Sequence, residues 1–298
     1  MSASDHRATR SLSIRTLRRL EEIESIRDFW ESVQRHPWTD IDYFVSHLTT
    51  EEGFVRPHIV VLEKSGQPVA MVVGRIKDQA IGWRIGPATP LRSRARVLRA
   101  ATGGIMGDSS DANSREIVRE LIACLGRSEA DMVYLHHIGY ESPLLTHATQ
   151  MPGVLSRDRF IRPAGRWTLD IPGSFEKFRR SRSKSVRRNL NYYSNVIQRE
   201  FGDDLDIVCY RDPGELDRLI RDTGHVARLT YHQRMGVGFK DSPEVRHLLS
   251  HAAEAGWLRA YVLYIGQEPR AFWHGLEYGQ TYFTRDTGFD PEIGRAHV

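Results

Sequence analysis

The chain has 298 residues, 40% hydrophobic and 27% charged, with a formal net charge of +4. That length suggests about two domains at roughly 100–200 residues each, and the composition excludes global disorder and a continuous coiled coil. Apolar runs such as 59–62 and 69–73 fall far short of the ~20 residues of a membrane helix. No secretory apolar region follows the start. Two cysteines, Cys124 and Cys209, make neither a disulfide framework nor a metal knuckle, so a cytoplasmic address is expected.

Residues 1–19, rich in Ser and Arg, read as a flexible leader. Apolar residues at helical spacing over 20–35 predict an amphipathic helix that Pro37 stops, and a short helix follows at 40–48. Strands at 58–62 and 69–76 flank a Gly/Pro turn and form a hairpin, with another strand at 79–85. The glycine cluster at 103–107 lacks the Lys-Ser/Thr of a phosphate loop and the spacing of a dinucleotide fingerprint; it reads as a turn. A helix is expected at 114–125 with Asn113 or Ser114 as cap. A strand at 132–138 would point His136 and His137 to opposite faces, which argues against zinc.

In the second half a strand at 167–171 closes at Pro172-Gly173, and Ser174 caps one long helix running to about residue 200. A strand at 205–210 leads to a helix opened by Asp212-Pro213. Ser242-Pro243-Glu244 opens another, which Gly256 ends. Three strands close the chain at 258–265, 270–277 and 281–287, joined by tight turns. Val61-Leu62 … Gly66-Gln67-Pro68 resembles Val262-Leu263 … Gly266-Gln267-Glu268-Pro269, so two related α+β halves divided near 150–165 are predicted.

Seven cations, Lys177, Arg179, Arg180, Arg182, Lys184, Arg187 and Arg188, fall in a stretch whose apolar positions recur at helical spacing. The reading is a helix that docks one face on the core and turns a cationic face to an anionic partner. In the last sheet, Phe272, His274 and Leu276 share one side, while strict alternation groups Tyr282, Thr284 and Asp286. His274 and Asp286 are the candidate general bases. Arg228, Tyr231 and His232 are candidate cleft residues, and Arg187 and Arg188 candidate contacts to an anionic substrate. No nucleophile elbow is visible.

Phe175-Glu176-x-Phe178 … Ser183-Lys184-x-x-Arg187-Arg188-Asn189-Leu190, then 252–259, Gly266-Gln267-Glu268-Pro269-Arg270-Ala271 and Gly288-Phe289-Asp290-Pro291 together resemble the CelD/BcsL-type acetyltransferases of the GNAT superfamily, relatives of the FemAB-like aminoacyltransferases. The resemblance implies an α+β fold of two tandem GNAT-like domains, each a mixed, largely antiparallel sheet flanked by helices. These would be an N-terminal domain at 20–160 and an incomplete C-terminal domain at 161–291. It further implies transfer from acetyl-CoA or another acyl-CoA to an amine or hydroxyl of a small molecule or glycan, often in exopolysaccharide or envelope synthesis, without a metal. The alternatives are aminoacyl transfer from tRNA and a non-catalytic module for acidic glycans. By resemblance the donor's pyrophosphate loop should follow Pro291. Residues 292–298 instead back-translate to the start of a DNA-sequencing adapter, so they are expected to be a non-native tail, and donor binding is expected to be weak.

Overall fold

Ile59, Val60, Val61 and Leu62 are all fully buried, because the strand that carries them is covered on both faces; that is why it shows no polar alternation. The computed structural model describes residues 12–85, 88–158, 161, 163–230 and 238–293. It divides the chain into two units, Met1–Pro163 and Ala164–Val298. The fold is mixed α+β, with two sheets flanked by helices. No described helix is long and apolar enough to cross a membrane.

The first unit runs β1 (Leu12–Leu17), α1 (Leu20–Ile23), α2 (Arg27–Val33), α3 (Ile41–Leu48), β2 (Phe54–Lys64), β3 (Gln67–Ile85), β4 (Ala88–Gly107), α4 (Asp111–Gly126), β5 (Met132–Tyr134) and α5 (Pro143–Gln150). The strands lie in the order β1-β2-β3-β4-β5; only β5 is parallel to its neighbour. Ile59, Val61, Met71 and Val73 pack with Ile23, Ile26, Trp30 and Phe44 of the first helices. Val60, Leu62, Ala70 and Val72 pack with Ile117, Val118 and Leu121 of α4 and Leu144 of α5.

Several expectations are corrected here: residues 12–17 of the expected flexible leader form β1, paired with β2. The single helix over 20–35 is interrupted by a 3-10 turn, Glu24–Ile26, whose three-residue period keeps Ile23 and Ile26 on the same side. The strand at 79–85 is the continuation of β3. Ser110, not Asn113 or Ser114, is the N-cap of α4; the latter two donate back to the carbonyls of Asp108 and Ser109 at 3.0 and 3.1 Å. The glycine cluster at 103–107 lies within β4 rather than in a turn. β5 stops at Tyr134, leaving His136 and His137 outside it.

The second unit runs α6 (Phe175–Ser181), α7 (Lys184–Phe201), β6 (Leu205–Tyr210), α8 (Leu216–Leu229), α9 (Pro243–Glu254), β7 (Leu258–Ile265), β8 (Glu268–Tyr278) and β9 (Thr281–Phe289). Its sheet is antiparallel, in the order β6-β7-β8-β9. No strand forms at 167–171, where Trp167 is 95% exposed and has no sheet neighbour to pack against. Ser174 does cap its helix, accepting from the Lys177 N–H at 3.2 Å. That helix breaks at Arg182, and Ser183 caps a second one through the Val186 N–H. Neither helix buries a residue, so the predicted docking of the basic helix on the core does not occur among the described residues.

The two sheets repeat one another in register. Turns of two residues, at 65–66 and 266–267, join β2 to β3 and β7 to β8. In each hairpin the register slips one step beyond the turn, between Leu62 and Glu63 and between Leu263 and Tyr264, opposite Pro68 and Pro269. These pairs differ by 201 positions, so Ser65-Gly66 is the counterpart of Gly266-Gln267. The Gly-Gln match read from the sequence is therefore one residue out of step. Carried on, the offset matches Val73 to His274 and Gly74 to Gly275. It also matches Val60 and Val72, which α4 covers, to Tyr261 and Trp273, which are 38% and 50% exposed.

Candidate active site

The second coincidence between the sheets marks the site. In β3/β4 the register jumps from Gly74↔Ala100 to Val72↔Ile105, so 101–104 bulge out opposite Val73. In β8/β9 it jumps from Gly275↔Thr284 to Trp273↔Thr287, so Arg285 and Asp286 bulge out opposite His274. A bulge bends its strand and re-aims the side chains it carries. The same kink thus falls at the same place in both units, in the second one on three ionisable residues.

His274 is 1% exposed, edged by the rings of Phe239 and Phe272 at 5.4 and 5.0 Å. Its Nε2 lies 3.0 Å from Thr223 Oγ1 on α8. Burial, and then the charge of Arg285, push its pKa down to about 3, so the ring is neutral near pH 7. Arg285 Nε sits 3.4 Å from Asp286 Oδ2, an ion pair whose geometry falls short of a hydrogen bond. His274 Nδ1, Arg285 Nη1 and Asp286 Oδ2 are buried atoms without a hydrogen-bond partner among the described residues. Three such orphans at one bulge are unusual in a folded interior and mark a place where a ligand's polar groups fit. Elsewhere in this unit Tyr210 Oη meets Tyr264 Oη at 2.5 Å, and Tyr264 donates to Asp222 at 2.6 Å; burial first, and then these hydrogen bonds, push the Tyr264 hydroxyl's pKa up.

Phe272, His274 and Leu276 share the buried side of β8, but the bulge takes Asp286 out of the alternation that grouped it with Tyr282 and Thr284. Tyr282 folds over the opposite face, against Gly275, where a Cβ would meet its ring at 2.2 Å. Arg228 is exposed on α8. Tyr231 and His232 lie outside the described residues, as do 294–298 of the expected tail. Arg187 is half-buried and donates to the Arg180 carbonyl at 3.4 Å, and Arg188 is exposed. Sequence reasoning passed over Arg285 and Thr223; the paired glycines Gly74 and Gly275 at one offset were the available signal. It also misplaced His136 and His137, whose rings stack at 4.3 Å.

His58, Cys124 and Glu129 bring three ligand-type atoms within 4.8 Å, but their surroundings do not fit a cation. Glu129 already accepts from Arg18, Arg56 and Arg127 at 2.9, 2.5 and 2.7 Å. Burial pushes the Cys124 thiol's pKa up. The cluster ties β2 to the turns after β1 and α4.

Residues 180–298 match the acetyltransferase (GNAT) domain family. The match covers less than half of the chain, all of it within the second unit, and supports an acyltransferase-type enzyme. Among solved structures, the chain overlays a conserved protein of unknown function from Bacteroides thetaiotaomicron VPI-5482 with a TM-score of 0.47 and 11% identity, covering 95% of this chain and 82% of that one. It overlays a conserved protein of unknown function from Enterococcus faecalis V583, described as a probable N-acyltransferase, with a TM-score of 0.40 and 9% identity, covering 96% of this chain and 60% of that one. No curated protein matches the chain.

Proposed function

We propose that the chain transfers an acyl group, acetyl in the simplest case, from acyl-CoA to an amine or hydroxyl of a small molecule or glycan, with the β9 bulge of the second unit as the reacting centre. The observation that carries this reading is the coincidence of the GNAT-matching segment with a bulge holding three orphaned polar atoms. Polysaccharide or envelope synthesis is the pathway class that the CelD/BcsL resemblance suggests.

Asp286 is the proton acceptor. The acceptor's nitrogen or oxygen forms its bond to the thioester carbonyl, its proton passes to the Asp286 carboxylate, and the carbon–sulfur bond breaks to release the CoA thiolate, which is then protonated. Arg285 supplies positive charge where the carbonyl oxygen becomes negative. His274, held neutral by burial, is too weak a base near pH 7 and serves as a positioning residue oriented by Thr223. Most of the acceleration then comes from alignment, worth up to ~7–11 kcal/mol in well-oriented systems. The test is product formation from millimolar acetyl-CoA with a panel of amines and sugars, read by mass spectrometry. Asp286→Asn should lower the rate by about 100-fold or more, while Glu268→Gln at the start of β8 should not. Equal rates in both variants would refute the assignment.

Aminoacyl transfer from tRNA is the second reading, favoured by the exposed basic surface of α6 and α7. Among the described residues, Arg179–Glu176 is the one ion pair in that run. An RNA complex there would weaken steeply with salt; binding that ignores salt would remove it.

A further inference from the structure

We propose that the first unit carries a binding site of its own, in the cavity beside the β4 bulge, for an oxyanion (the phosphate or carboxylate of a small ligand) held by His136 and His137. The cavity has a volume of about 220 Å3, and Gly103, Gly104, Ser109, His136, His137 and Ser142 line it. It is closed on one side by the bulge and on the other by the segment after β5.

Four observations converge on it. His136 Nδ1 is a buried atom without a hydrogen-bond partner among the described residues, while its Nε2 lies 3.5 Å from Thr102 Oγ1. His137 stacks on His136 at 4.3 Å with 23° between the planes, from a left-handed backbone φ of +56°. His137 is exposed, so its ring is open to a ligand. The Ser142 hydroxyl, at the start of α5, makes no capping hydrogen bond and is available to a ligand.

The sign of the ligand follows from the charges around it. Burial, His137, Arg99 and Arg75 all push the pKa of His136 down. Arg75 is neutralised by Glu51, but Arg99 lies over the Tyr134 ring at 5.0 Å without a carboxylate partner among the described residues. The neighbouring acids are engaged: Asp108 accepts from the Ser110 N–H at 3.0 Å, and Asp111 meets His147 at 2.9 Å. Arg99, which acts on His136 without a carboxylate partner among the described residues, favours an anion over an ammonium group there, and an apolar group would leave Nδ1 unsatisfied. An oxyanion pairs with both imidazoles and the serine hydroxyl. This inference does not rest on the chemistry assigned to the second unit.

The test is a titration of the full chain, labelled with 15N in its histidines, with inorganic phosphate and separately with sodium acetate. Saturable shifts of His136 and His137 in the millimolar range are expected with at least one anion, weakened at least tenfold for the remaining imidazole in His136→Phe and in His137→Gly. His137→Gly should melt no lower than the parent, because glycine accepts the positive φ; loss of binding in that variant is then not loss of fold. Absence of a saturable shift with either anion, or undiminished binding in both folded variants, overturns the site.

Discussion

Among the described residues, His58 in the first unit and His274 in the second are buried where a charged imidazole is poorly solvated. His58 in β2 is held at about 4 and His274 in β8 at about 3, against 6.5 in an exposed chain, with burial the largest cause in both. Both folded values lie below the unfolded one, so below pH 6.5 the unfolded chain binds protons that the folded chain refuses, and stability falls as the pH drops towards 3. Thermal melts from pH 7.5 to 5 should show a falling melting temperature, with a shallower slope in His274→Gln; parallel slopes would contradict the burial argument. Glu129 adds a second acid-sensitive step. The Arg18 hydrogen bond first, then those from Arg127 and Arg56, holds its carboxyl far below the ordinary 4.5. That stabilisation is present above 4.5 and lost as pH falls through the carboxylate range. Glu129→Gln should cost about 3 kcal/mol in denaturant unfolding near pH 7, because Arg18 and Arg56 lose their counter-charge while Arg127 keeps only Glu120; a cost under about 0.5 kcal/mol would show an ordinary surface pair.

At the scale of elements, what was legible in the sequence was local. The helix start that Asp212-Pro213 announces is closed by a capping box of Asp212 and Glu215, and Ser242 caps α9 through the Val245 N–H. The two-residue turns around Gly66 and Gly266 fix where the hairpins fold back. The bulges were not legible, because a bulge belongs to a pair of strands and leaves no period in either one. Gly103 illustrates the gap: within β4 it holds a φ of +77°, and a Cβ there would lie 2.6 Å from the His36 side chain. Gly103→Ala should therefore lower stability by more than about 1 kcal/mol, measured by urea unfolding; an unchanged midpoint would mean the bulge relaxes freely. The break between α6 and α7 was hidden for another reason. Cationic residues support a helix on either side of Ser183, and nothing in their periodicity reveals that a cap begins a new one.

At the scale of the whole molecule, the chain is one sheet design used twice, with register slips at positions 201 residues apart. The short Gly-Gln match pointed to the likeness of the two hairpins, though one residue out of step, since a turn motif constrains spacing less tightly than strand pairing does. The candidate site was half visible: His274 and Asp286 stood out as polar residues among aromatics, but their meeting with Arg285 depends on the β8–β9 register. The first unit has a cavity and a histidine pair at its bulge, and the second has an acid, a guanidinium and a buried imidazole, so the two sheets carry different chemistry where they are least regular. The claim that the β9 bulge is where the acyl donor reacts is tested most directly by hydrogen–deuterium exchange of the chain with and without millimolar acetyl-CoA. The account predicts slowed exchange across 284–289 that Asp286→Asn leaves in place while transfer is lost. Protection confined to β4 and α4, or none anywhere at that concentration, would contradict it.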